Sequence, residues 1–244
     1  FICVLLAFIF LVCAGNYLEK NYAHLPPLPD LGHKALPIVD LRLLMNVGLL
    51  TALVLFLIGF FREPNRIPYI MVAASAWFFV RAASMTVTPL GAPEGYLSDD
   101  VIIPEVKNVW DFIKQGLGAR NTLFFSGHTG LPFLGFLLFK KEIYASYLVW
   151  PLILITAFFV GSHKDYPSWC WGALTVVWMS VILFRNRQVS LNKIFLIWSF
   201  VMAATVLFTR NHYTIDVLGA YFMTGGAFLI GRAAFHKLED FCEK

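Results

Sequence analysis

The sequence predicts an all-α fold, a polytopic helical bundle built for a membrane, and three observations predict it. Of 244 residues 59% are hydrophobic and 14% charged, where an ordinary globular domain has about 45–50% and 25%. Mean hydropathy is +0.70. The apolar residues come in long blocks, not at the 3.6-residue spacing of a helix with one face in water. This composition argues against nucleic-acid binding, disorder and a disulfide scaffold. The net charge of +4 is small for the length, so where Lys and Arg lie tells more than their excess. The whole chain, 1–244, reads as one integral-membrane domain.

A bilayer core about 30 Å thick takes about 20 apolar residues in a helix, because backbone polar groups cannot face lipid unpaired. About eight spans are expected on that rule, at residues 1–16, 43–61, 67–85, 123–139, 143–161, 169–184, 193–209 and 214–234. The chain begins with Phe1, and Phe1 to Ala14 reads as a transmembrane helix, since no small-residue cleavage pattern follows it. The span at 123–139 is the shortest and carries Pro132. Cys3, Cys13, Cys170 and Cys242 are scattered without metal-ligand spacing and read as packing residues. A faint echo between Phe158 to Pro167 and Leu207 to Asp216 is too weak for an internal repeat.

Orientation follows from short basic loops on the cytoplasmic side. Residues 61–66 (Arg62, Arg66), 140–142 (Lys140, Lys141), 185–193 (Arg185, Arg187, Lys193) and the tail (Arg232, Lys237, Lys244) fall on one side when the spans alternate. The longer segments 17–42 and 86–121 fall on the other and hold most of the acidic residues. Within the outer loop 86–122, Val106, Val109, Trp110, Ile113 and Leu117 recur at helical spacing, as in an interfacial helix, with a small packed cap as the alternative.

Ionisable groups near a bilayer core cost at least about 2.5–3.5 kcal/mol and are retained for a purpose. Two such clusters open spans on the outer face: Ser126-Gly127-His128-Thr129-Gly130 and His212-Tyr213-Thr214-Ile215-Asp216. On a helix, residues four apart share a face, so Asp216 would hold one ring nitrogen of His212 and leave the other free. Ser126, Gly127 and Thr129 around His128 suit phosphate oxygens at a helix start. Arg81 and Arg120 fall on the same face and can balance a phosphate, or can snorkel to headgroups. A single histidine at a membrane edge is ordinarily hydrogen-bonded to a neighbour without further purpose. Two facing one anion site suggest a nucleophile and an acid/base in phosphoryl transfer. His24, His33, His163 and His236 read as surface residues.

These two clusters resemble the active-site motifs of the sphingomyelin synthases and related sphingolipid synthases, a branch of the lipid phosphate phosphatase (PAP2) superfamily. Pro26-Pro27-Leu28-Pro29-Asp30 resembles the P-P-L-P-D motif of their first outer loop, and Arg81 to Leu90 (RAASMTVTPL) their R-x-x-T-M-x-V-T-x-L motif. The resemblance covers about Pro26 to Phe235. It implies a six-helix core, here with an extra hairpin assigned to 141–187. It also implies transfer of a phospho-headgroup (phosphocholine, phosphoethanolamine or phosphoinositol) from a glycerophospholipid donor to ceramide or a similar lipid alcohol. By motif match His212 would attack phosphorus, Asp216 would orient it, and His128 would serve as acid and then base, with Tyr213 in the substrate site. No cofactor or metal is implied, in keeping with the absence of a ligand cluster in the sequence. The active site would face the outside of a bacterial inner membrane, or the lumen or exterior of a Golgi or plasma membrane.

The sequence departs from that family in two places. Its C-G-D before S-G-H-T is replaced by Arg120-Asn121-Thr122, and His128 and His212 stand further apart. The rival enzyme reading is a lipid phosphate phosphatase, in which water resolves the phosphohistidine. Its K-x6-R-P is missing, Phe125 precedes Ser126, and Val206 stands where its arginine would. A non-enzymatic lipid-binding or transport protein is a second rival, and the presence of both histidines and Asp216 speaks against it.

Overall fold

The computed structural model describes residues 1–97, 111, 123–139 and 190–242. Among them are seven α-helices and no β-strand: α1 (Ile2–Tyr22), α2 (Leu31–Ala35), α3 (Arg42–Arg62), α4 (Ile67–Val87), α5 (Gly127–Leu138), α6 (Leu191–Phe208) and α7 (Thr214–Cys242). A 3-10 turn, Pro64–Arg66, leads into α4. Five of these helices, α1, α3, α4 with its leading turn, α6 and α7, are long and apolar enough to cross a membrane. The chain is thus a helical protein of the integral-membrane kind. The spans expected at 143–161 and 169–184, and the interfacial helix expected over 106–117 apart from Asp111, lie outside the described residues.

Three helices depart from their expected bounds for local reasons. Helix α1 continues to Tyr22 because Asn16 and Asn21 turn their amides back onto the carbonyls of Val12 (2.9 Å) and Tyr17 (2.7 Å), so polar residues extend it. Helix α7 runs on to Cys242 rather than ending near 234. The expected span at 123–139 is a helix of only 12 residues, about 18 Å long and too short to cross alone. Ser126 halts it at the front, its side chain accepting the Thr129 N–H as an N-cap.

Lipid is as apolar as leucine, so close packing and interhelical hydrogen bonds hold such helices together. Helix α1 lies along α4, in the same direction: Phe8 meets Phe78 edge-on at 5.7 Å, Phe10 stacks on Phe79 at 5.4 Å, and Leu11, Ala14 and Leu18 pack on Ala82 and Met85. The main core joins α3, α4, α5, α6 and α7. In it Phe139 stacks on Phe195 at 5.5 Å, with Phe56 edge-on to Phe195 at 5.0 Å. Trp77 donates to Thr224 Oγ1 (2.9 Å), Trp198 to the Gly48 carbonyl (3.0 Å) and Ser199 to the Thr129 carbonyl (2.9 Å). Each such link is worth about 0.6–2 kcal/mol in a membrane. Cys3 and Cys13, expected in the packing, are exposed on α1, because that helix buries only its α4-facing side.

The alternation of the helices sorts the bundle into two ends. At one, Tyr69 of α4 meets Phe235 of α7 at 5.3 Å, and Arg62, Arg66, Lys193, Arg232 and Lys237 gather at helix termini. At the other, α1, α4 and α6 finish, α3, α5 and α7 begin, and the segments 23–41 and 88–97 lie across them.

Candidate active site

Both sequence clusters arrive at this second end and are tied together through the backbone. The Ser126 N–H donates to the Asp216 carbonyl (3.2 Å), joining the start of α5 to the first turn of α7. Ser126 and Thr129 are fully buried. First-turn N–H groups have no intrahelical acceptor, so the front of α5 presents donors.

His212 was expected on one helix with Asp216, a turn apart. It stands instead in the loop before α7, which begins at Thr214. Tyr213 is the residue before the helix, and Asp216 Oδ2 accepts the Tyr213 N–H (2.9 Å), the reciprocal half of a capping box. The loop still carries the His212 ring to the carboxylate, with Nδ1 3.7 Å from Asp216 Oδ2. Asp216 is fully buried and His212 is 5% exposed. Neither His212 Nδ1 nor Asp216 Oδ1 has a hydrogen-bond partner among the described residues, and a shift of about 0.5–1 Å would bring the pair to hydrogen-bond distance. The His128 and His212 rings meet edge-on, with centroids 6.3 Å apart and planes at 61°.

Arg81 comes from α4, buried inside the bundle, so its charge is committed here and does not snorkel to headgroups. Its guanidinium donates to the Phe125 carbonyl, lies 5.8 Å from the Phe125 ring centroid and rests against Gly127. A Cβ at Gly127 would lie 3.0 Å from Cζ and 3.2 Å from both terminal nitrogens, which is why this position has no side chain. Arg81 therefore meets the Ser126–Thr129 turn, as its place in the sequence implied. Arg120 lies outside the described residues.

Tyr213, expected in the substrate site, has its hydroxyl engaged by the protein. Its hydroxyl accepts from the Leu28 N–H (2.8 Å) and donates its one proton to the Gly91 carbonyl (2.8 Å), leaving no donor for a phosphate. It pins the two outer segments to the His212 loop. Gly91 is required there, since a Cβ would run into the Leu25 and Pro26 carbonyls.

Around this loop the role of Asp30, named in the sequence only as part of the P-P-L-P-D motif, and the parts played by His33 and Arg210 were not expected. Asp30 caps both α2 and α7: Oδ1 accepts from the His33 N–H (3.1 Å) and the Thr214 hydroxyl (2.8 Å), Oδ2 from the Thr214 N–H (2.6 Å). Burial pushes its carboxyl up, but these donors outweigh that and hold it below the ordinary range. His33, expected at the surface, is 5% exposed, its ring packed nearly parallel to Tyr213 at 6.0 Å. Burial lowers its pKa and raises that of the Tyr213 phenol. Arg210, at φ 58°, turns the chain before His212 and donates to the His33 and Leu36 carbonyls. The Asp-x-x-His spacing at 30–33 was the one available signal, an N-cap followed by its turn. His24 and His236 are exposed as expected, and His163 lies outside the described residues.

What the fold and the site define is a class: a helical membrane protein with a histidine pair, a buried carboxylate and a buried guanidinium gathered at one end of its bundle. No family model matches the chain, and no curated protein matches it.

Proposed function

We propose that this chain is a membrane phosphotransferase that moves a phospho-headgroup from a glycerophospholipid to ceramide or a similar lipid alcohol, through a phosphohistidine. The observation that carries the reading is the approach of the His128 and His212 rings to 6.3 Å between centroids, with Asp216 behind one and Arg81 beside the turn that bears the other. The motif resemblance at Pro26–Asp30, Arg81–Leu90, Ser126–Thr129 and His212–Asp216 supports the lipid class of substrate. His212, its Nδ1 side turned to Asp216, attacks phosphorus through Nε2. As that N–P bond forms, the P–O bond to diacylglycerol breaks and His128 gives its proton to the departing oxygen. His128 then takes the proton of the incoming hydroxyl, whose oxygen displaces His212 from phosphorus. Asp216 balances the charge on His212 during the intermediate, and Arg81 and the α5 front stabilise the phosphoryl oxygens. Basic loops at the opposite end support a site on the outer or lumenal face.

The test is reconstitution in vesicles with fluorescent ceramide and separate phosphatidylcholine, phosphatidylethanolamine and phosphatidylinositol donors. A new phosphosphingolipid that disappears in His212→Ala is the expected result. Release of free phosphate or phosphobase without acceptor selects a phosphatase, and turnover unchanged in His212→Ala rejects the mechanism.

A further inference from the structure

We propose that His33 is a positioning residue: its Nε2–H holds the main chain of His212, and through it the orientation of the reactive ring over Asp216. The functional half of this proposal rests on the phosphotransfer reading. His33 Nε2 lies 2.9 Å from the His212 carbonyl oxygen, a buried contact between residues 179 apart in sequence. A carbonyl only accepts, so Nε2 carries the hydrogen in this contact, and Nδ1 is the ring's other nitrogen.

The His212 side chain has no hydrogen bond of its own on Nδ1 among the described residues, so its direction is set by the peptide that bears it. That peptide is held from four sides, one of them Asp216 Oδ2, which accepts its Tyr213 N–H (2.9 Å). His33 takes its carbonyl, Tyr213 Oη is fixed between Leu28 and Gly91, and Asp30 takes the N–H of Thr214. His33 is itself fixed, its N–H donating to Asp30 Oδ1 (3.1 Å), its carbonyl accepting from Arg210 and its ring lying along Tyr213. The result is a closed circuit of contacts, Asp30 to His33 to His212 to Thr214 and back to Asp30. Two side chains reach the His212–Tyr213 peptide unit itself: Asp216 takes its N–H and His33 its carbonyl, so His33 alone holds the carbonyl end among the described residues. Displacements of about 1 Å at a reacting group cost on the order of a hundredfold in rate, so loss of one such tether is felt in turnover before binding.

The experiment uses the full chain in vesicles containing phosphatidylcholine and fluorescent ceramide. His33→Phe keeps a ring against Tyr213 but has no donor, while His33→Gln places an amide N–H near the position of Nε2. Expected is a loss of kcat of about tenfold in His33→Phe, with KM for ceramide little changed and the unfolding midpoint lowered by the lost donor, and recovery of the midpoint and of kcat to within about threefold of wild type in His33→Gln. A parallel arm follows carbethoxylation of His212 by diethylpyrocarbonate, mapped on its peptide, which needs no turnover. His33→Phe should change that rate by threefold or more and His33→Gln restore it. If the wild type forms no phosphosphingolipid, the phosphotransfer reading fails and the carbethoxylation arm still decides the positioning. Should His33→Phe not fold, His33→Gln is compared with His33→Asn, whose amide is too short to reach; the same split is expected. Equal His212 reactivity in donor and non-donor variants, or a stability loss that Gln does not reverse, overturns the proposal.

Discussion

Asp30 shows how one carboxylate can govern a site it never touches. It accepts three hydrogen bonds from two segments, and removing such a cap costs about 0.5–2 kcal/mol. Its folded pKa is lowered, so its contribution is full above the unfolded value near 3.8 and is lost as pH falls through the still lower folded value. His33 is lowered too, by burial. A buried neutral imidazole stabilises fully above its unfolded value near 6.5, and that is lost as pH falls through the folded one. Acid therefore loosens the outer segments from the His212 loop in two stages. Unfolding midpoints in detergent should fall between pH 7 and pH 3, with the upper stage missing in His33→Phe and the lower in Asp30→Asn. A midpoint that is flat over this range in the wild type contradicts the assignment. His128, His212, Asp216 and Arg81 were legible in the sequence because polar residues in apolar runs are conspicuous. His33 was not, because its burial is created by a loop 179 residues away.

Among the elements, α5 depends most on its neighbours. Its 12 residues are started by Ser126, and Pro132 inside it cannot donate to the carbonyl of His128 four residues earlier. The helix is held by α6 through Ser199 and by Arg81 resting on Gly127. Gly127→Ala puts a methyl 3.0 Å from the guanidinium carbon. The expected outcome is a displaced Arg81 and a kcat lower by about tenfold or more, with an unfolding midpoint close to wild type. Unchanged kcat would mean that the guanidinium has no part in the reaction. The existence of α1, α3, α4, α6 and α7 was legible from apolar length alone. Their ends were not, since Asn16 and Asn21 carry α1 past its apolar run and hydropathy does not register a cap such as Ser126.

At the scale of the whole molecule, alternation of spans and placement of basic residues foresaw that two clusters about 80 residues apart in sequence would share one end. The same reasoning predicts sidedness. Single cysteines in a background without native ones, at exposed Glu94 and Lys237, should react with an impermeant maleimide from opposite sides of a sealed vesicle; reaction from the same side would separate the site from the face assigned to it. The brevity of α5 gives the site a depth as well as a side. Arg81 stands six residues before the end of α4, about 9 Å along the axis from that end, and the Ser126–Thr129 turn lies against it at that depth. On the proposed phosphotransfer, a donor headgroup would have to descend from the level of its neighbours, drawing its acyl chains after it. On that proposal the thickness of the surrounding hydrocarbon would enter the energetics of the reaction as directly as any side chain.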